Sequence, residues 1–278
     1  MQTRQTKRLG VGLALLLALG GVAWQVNQTR KVPLERALSP AYWVRHWRGQ
    51  DRYNPGAALL EHGNPRYKEV ALTIDDGPDP VLGPQVAAVL RARGVAATFF
   101  LVGTRVKQHP EVVQLLARDG FELGNHTYDH QRLPGLKPHE IANELRLGDK
   151  QIRQATGHSV PLLRPPGVQY DDKTLRVARA LGYVTVSWTV GARDYDPQPP
   201  QWIASRVLRR TEPGSIILLH QDNPSTPAAL PLIIDGLRRQ GYAFVTVSQM
   251  LAHLGVYPAP GGGWGARRAA SAGAGVGP

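Results

Sequence analysis

Between residues 68 and 256 the chain alternates short apolar runs with amphipathic stretches. Seven runs read as strands, at 70–74, 97–101, 122–124, 162–164, 184–187, 215–219 and 243–246. Helical stretches lie near 80–92, 110–119, 138–156, 172–181, 199–210, 226–240 and 247–253. Strand–helix alternation predicts an α/β fold, a parallel sheet or barrel with its helices outside. Seven units are one short of a complete eight-stranded barrel. In such folds chemistry gathers at the C-terminal ends of the strands. The polar residues placed there are Asp75 and Asp76 after the first strand, His126 and His130 after the third, and Arg164 closing the fourth. Asp194 follows the fifth and His220 the sixth. Two adjacent acids, three histidines, an arginine and a further acid are thus predicted at one rim.

The ends of the chain follow other rules. Residues 9–26 (LGVGLALLLALGGVAWQV) carry no charge and are preceded by Arg4, Lys7 and Arg8. As a helix this run would rise about 27 Å, close to the roughly 30 Å hydrocarbon core. Two readings stand: a signal anchor over 1–31 with the bulk of the chain exported, or a cleaved signal peptide ending at Ala18-Leu19-Gly20. Both place the bulk of the chain outside the cytoplasm, anchored to the membrane or released from it. Residues 32–67 form a juxtamembrane connecting segment in which Tyr42, Trp43 and Trp47 alternate with basic residues. The folded domain is expected over 68–257, and 258–278, rich in Gly, Ala and Pro, as a flexible tail.

The net charge of +12 suggests a nucleic-acid partner until its distribution is considered. Residues 1–68 hold 11 Lys+Arg against 3 Asp+Glu, so most of the excess lies in the leader. That placement suits anionic lipid or a wall polymer, and no nucleic-acid partner is expected. With 42% hydrophobic and 19% charged residues the chain reads as globular. The absence of cysteine excludes disulfides, thiolate metal ligands and a thiol nucleophile, without excluding export.

The rim residues carry the chemistry. His126 and His130, in HTYDH, are four apart, and on a helical turn that spacing puts both rings on one side. Alone, the pair is weak evidence and reads more readily as two surface or capping histidines. Asp75-Asp76-Gly77-Pro78 changes the weighting, because adjacent acids at a strand end are costly without a cation or base role. Two histidines and one carboxylate make an open metal site with room for water and substrate. Asp79, before Pro80, suits the cap of the next helix.

TIDDGPDP, ATFFLVG, HTYDH, RPPG, Asp194-Tyr195 and LLH occur in that order. Together they resemble the polysaccharide deacetylases of carbohydrate esterase family 4, the NodB homology domain, over roughly 68–256. The resemblance implies a distorted (β/α)7-8 barrel and metal-dependent removal of acetyl groups from a glycan, N-acetylglucosamine in peptidoglycan or a chitin-like polymer being the foremost substrate. It implies one divalent ion, Zn2+ or else Co2+, on Asp76, His126 and His130. Asp75 would be the general base held by Arg164, and His220 the general acid oriented by Asp194. Leu218 would line the acetyl pocket, Gly167 would offer a backbone N–H to the oxyanion, and Tyr195 would stand beside the sugar. The partners expected are an acetylated polysaccharide and, through the N-terminal segment, a membrane, with the protein a monomer.

Two departures from the family pattern stand out. The fourth motif, commonly Asp-x-x-Asp-Trp, here reads Gly191-Ala192-Arg193-Asp194-Tyr195, and Gly167 stands where Tyr often follows the prolines. Both touch glycan recognition more than the metal or the acid–base pair. The alternative reading is a glycan-binding relative without catalysis; loss of Asp75 or His220 would favour it, and both are present. A serine esterase is disfavoured because no G-x-S-x-G elbow occurs. Trp202 is expected to pack inward, and Asp222, two residues after His220, admits both a site contact and ordinary loop chemistry.

Overall fold

A computed structural model describes residues 53–257 and the backbone of 258 and of 264–266. The proposed leader, most of the connecting segment and the remainder of the tail lie outside the described residues. Among the described residues no helix is long and apolar enough to cross a membrane.

The sheet is built from β1 (Tyr53–Asn54), β2 (Leu59–Leu60), β3 (Glu69–Gly77), β4 (Thr98–Leu101), β5 (Glu122–Asn125) and β6 (Leu162–Leu163). It continues with β7 (Val184–Val186), β8 (Val190–Gly191), β9 (Ser215–His220) and β10 (Ala243–Val245). The order is β1-β2-β7-β6-β5-β4-β3-β9-β8, with β10 also pairing β3. Every pairing is parallel except β1 with β2. The sheet curls into a half-barrel. Its helices are α1 (Leu82–Ala92), α2 (Gly103–Gln108), α3 (Pro110–Arg118), α4 (Pro138–Thr156), α5 (Asp172–Ala180), α6 (Pro200–Arg210), α7 (Thr226–Arg239) and α8 (Val247–His253).

All seven expected strands and seven expected helices are present. The additions are β1, β2, β8 and α2. The connecting segment therefore gives its last residues to the sheet, where Leu59 and Leu60 pair with Thr185 and Val186. The tail also departs from expectation, since β11 (Val256–Pro258) pairs antiparallel with β12 (Trp264–Ala266).

Alternation along β3 and β9 sets what faces the barrel interior. Leu72, Ile74, Ile217 and Leu219 belong to a cluster with α1, α6 and α7 residues such as Leu90, Val207 and Ile233. Ala71 and Ile216 belong to a second cluster with Phe100, Val184 and the α8 residues Val247, Met250 and Leu251. Thr73 and Asp75 share the phase of Ala71, as Leu218 and His220 share that of Ile216. Register brings Thr73 opposite Leu218 and Asp75 opposite His220. Apolar side chains thus fill the N-terminal half of the interior, and polar chemistry begins where they end.

Candidate active site

A regular strand would send Asp75 and Asp76 to opposite faces. The pairing of β3 with β4 breaks register between Ile74 and Gly77, and Asp76 adopts φ +66°. This bulge re-aims the second acid, so that both carboxylates reach one site. Asp79 takes the N–H groups of Val81 and Leu82 at 2.8 and 2.6 Å and so opens α1.

Asp75 is 3% exposed and Arg164 fully buried. Arg164 Nη1 donates to Asp75 Oδ1 at 2.8 Å and to Thr73 Oγ1 at 2.7 Å. Its Nη2 donates to the Ser187 carbonyl at 3.0 Å, and its guanidinium lies 4.3 Å from the Phe100 ring centroid. The planar fork therefore fixes Asp75 by hydrogen bond and by charge. Burial lowers the Arg164 pKa, and the Asp75 carboxylate opposes that shift.

HTYDH does not form the helical turn its spacing suggests. It is a loop after β5, with Thr127 at φ +67° and His130 at φ +65°. Neighbours hold this shape. Asn125 Oδ1 accepts the Thr127 N–H at 2.9 Å, and Glu144 of α4 accepts those of Tyr128 and Asp129 at 3.1 and 3.2 Å. Gly103 and Thr104, opening α2, donate to the carbonyls of Thr127 and Tyr128 at 2.9 and 2.7 Å. Gly148 lets α4 come this close: a Cβ there would lie 2.5 Å from Asn125 Oδ1 and 3.0 Å from the Thr127 carbonyl.

The loop places both imidazoles against Asp76. His126 Nε2 lies 3.3 Å and His130 Nε2 3.1 Å from Asp76 Oδ1. His126 Nδ1 is 2.6 Å from the Arg164 carbonyl, a pair that requires a proton on Nδ1 and turns Nε2 toward Asp76. Asp76 Oδ1 is buried without a hydrogen-bond donor. Burial works against the Asp76 carboxylate, yet His126 and His130 hold it well below the usual range. Contact with Asp76 raises the His130 pKa against burial. All three ligand atoms lie within 4.8 Å of one another, the spacing and donor set of a divalent-metal site.

On the other side of Asp75 stands His220. Its Nδ1 lies 2.8 Å from Asp194 Oδ1, and its N–H donates to Asp194 Oδ2 at 2.7 Å. Thr226 Oγ1 donates to the same Oδ2 at 2.8 Å, and Asp194 is fully buried. Burial lowers the His220 pKa, but Asp194 and then Asp75 and Asp76 push it up to about 9. This folded value exceeds the ordinary 6.5. The contact therefore stabilises the fold fully below about pH 6.5 and loses that contribution as pH rises through about 9. Were His220 the proton donor expected from the sequence, kcat/KM would hold up to about pH 9 and fall above it. Asp194→Asn should move that alkaline limb to lower pH, a shift read from pH profiles of the two proteins. An unmoved limb would assign the titration to another group.

The three remaining candidates are more peripheral. Leu218 is 7% exposed on the interior face below His220. Tyr195 is 61% exposed, its ring edge-on to His220 at 5.8 Å. Gly167 is exposed at φ +60° in the turn after Arg164, with nothing closer than 3.8 Å to a Cβ. Trp202, expected inside, is 37% exposed with Arg206 above its ring. Residues the sequence reading passed over include Thr73, Asn125, Glu144, Gln221, Thr226 and Arg105. Asn125 alone had a local signal, as a polar residue ending a strand directly before HTYDH.

A half-barrel with an Asp–His–His set that could hold a metal, beside an Arg-held carboxylate and then an Asp-held histidine, has the parts of a metal-dependent hydrolase. Residues 62–186 match the polysaccharide deacetylase family. A Bacillus cereus peptidoglycan-N-acetylglucosamine deacetylase is 37% identical over 191 residues, covering 67% of this chain and 89% of that protein. A Bradyrhizobium chitooligosaccharide deacetylase is 33% identical over 66% of this chain and 90% of its own. The Listeria monocytogenes deacetylase PgdA is 32% identical, the match covering 66% of this chain and 39% of that longer protein. The chain belongs to the polysaccharide deacetylase family, carbohydrate esterase family 4. Among solved structures, a peptidoglycan N-acetylglucosamine deacetylase superposes with TM-score 0.69 at 30% identity, over 76% of this chain and 96% of that one. A family 4 pseudoenzyme from Bacillus anthracis gives 0.67 at 31%, over 69% and 68%.

Proposed function

We propose that the protein hydrolyses acetyl groups, foremost the N-acetyl of N-acetylglucosamine residues, from a cell-envelope polysaccharide such as peptidoglycan or a chitin-like glycan. The observation that carries this is the pairing of Asp75 with Arg164 and of His220 with Asp194 beside the three ligand atoms. Asp76, His126 and His130 would hold one divalent ion, which we assign as zinc, with cobalt as a substitute. When bound, such an ion polarises the acetyl carbonyl and lowers the pKa of water. Asp75, kept in place by Arg164, takes the proton from the attacking water. His220 protonates the departing amine, and Asp194 holds it in the orientation and charge state for that transfer. The amide C–N bond breaks, giving acetate and a free amino sugar. Leu218 would bound the acetyl methyl, Gly167 would supply an N–H to the oxyanion, and Tyr195 would flank the sugar.

We place this domain outside the cytoplasm, held by residues 9–26 or released after cleavage. Detergent-solubilised full-length protein, metal-stripped and then refilled with zinc or cobalt, should release acetate from chitooligomers and peptidoglycan only when refilled. The pseudoenzyme relative shows that this fold also exists without activity. Tight metal binding with no acetate from either glycan would assign the chain to that kind.

A further inference from the structure

We propose that Arg105 and Asp222 form a positioning clamp that keeps the Asp76 backbone in its ligand-presenting conformation. The inference rests on the metal site assigned above. Asp76 is a non-glycine residue at φ +66°, and such a residue persists only where its surroundings over-determine it. The Gln221 N–H donates to the Asp75 carbonyl at 2.9 Å, and the Gln221 side chain accepts the Asp79 N–H at 2.9 Å. These fix the two ends of the bulged turn. At its centre, Arg105 Nη1 donates to the carbonyl of Asp76 itself. Both terminal nitrogens of Arg105 lie 3.1 Å from Asp222 Oδ2, which aims the fork at that carbonyl.

Asp222 also answers an electrostatic problem. A guanidinium next to a site for a divalent ion opposes metal binding by like-charge repulsion. The Asp222 carboxylate offsets that charge while the hydrogen bond to Asp76 stays. Because Asp222 lies two residues beyond His220, one short segment carries the acid and steadies the metal ligand across the site.

Both side chains are a little over a third exposed, at 38% and 37%. An ion pair so placed contributes little to stability, so metal affinity and folding separate in the test. The full-length protein and its variants are stripped, and cobalt or zinc affinity is measured by competition with a chromophoric chelator. Apo melting temperature and KM at saturating metal are measured beside it. Asp222→Asn is expected to weaken metal binding by about tenfold, the lower end for residues that support metal ligands, with melting temperature and KM unchanged. Arg105→Lys, which keeps the charge but not the fork, should weaken it similarly. Asp222→Glu should restore affinity. Asp76→Ala is the control for the site: if it binds metal like the parent, the site assignment fails rather than the clamp. Parental affinity in Asp222→Asn would overturn the clamp. So would a raised KM with unchanged affinity, which would make the pair a substrate contact.

Discussion

Asp75→Asn should leave a protein that folds, binds metal and releases almost no acetate. The substitution keeps the size and shape of the side chain and removes its basicity. General base catalysis contributes about 10²–10⁴-fold, and kcat/KM should fall by about 10³-fold or more. That corresponds to about 4 kcal/mol of lost transition-state stabilisation. Stability should fall as well, for a separate reason. Arg164 is fully buried, and Asp75 is the carboxylate that its Nη1 contacts at 2.8 Å. Removing one partner of a buried ion pair costs about 3–5 kcal/mol. The amide can still accept the Arg164 hydrogen bond, and Thr73, Ser187 and the Phe100 ring still engage the guanidinium. The cost therefore belongs at about 3 kcal/mol, a melting-point decrease of roughly 6–12 °C for a domain of this size. Acetate release, metal binding and thermal melting on one preparation separate these effects. A variant that kept a tenth of parental activity would remove Asp75 from the role of base.

Much of the fold was legible because its strands are buried on both faces. VALTI, TFFL and SIILL are apolar at almost every position, which is how parallel strands under helices read. What escaped was too short for any periodicity. Tyr53–Asn54, Leu59–Leu60 and Val190–Gly191 are two residues each, and their pairing is dictated by neighbours. Gly103–Gln108 is a six-residue helix that follows its strand almost without a break. Trp264–Ala266 lies in a stretch whose glycines signal a flexible tail, and its pairing with Val256–Pro258 overrides that composition.

The site divides in the same way. The residues assigned to the chemistry follow strand ends, where topology gathers them at one rim. The residues that shape the backbone around them are non-local. The left-handed turns at Asp76, Thr127 and His130 have no glycine to announce them. Asn125 and Glu144, which hold the histidine loop, are far apart in sequence, and the close approach of α4 at Gly148 and the Asn125 bond to the Leu145 carbonyl bring them together. Spacing in HTYDH therefore suggested a helix, while contacts from two other elements made a loop that presents the same two nitrogens.

Arg164→Met should be the most damaging single change to the fold among the site residues. Arg164 ties three strands together: it donates to Thr73 and Asp75 of β3, and to the carbonyls of Val186 and Ser187 at the end of β7, from its own place after β6. Methionine fills part of the volume against Phe100 but offers no donor. Asp75 would be left as a buried carboxylate without its counter-charge, and two carbonyls would lose their partner. A loss of about 3–5 kcal/mol follows, or roughly 6–20 °C in melting temperature. The backbone carbonyl of residue 164 survives the change, so His126 keeps the acceptor for its Nδ1 proton. Metal affinity should accordingly fall far less than activity when both are measured well below the melting point. Arg164→Lys tests whether charge alone suffices. A single ammonium cannot span Thr73, Asp75 and Ser187 in one plane, so Lys should recover only part of the stability and little of the rate. Melting of either variant within about 2 °C of the parent, against the several degrees a broken buried pair implies, would show that Asp75 is held by something other than this arginine.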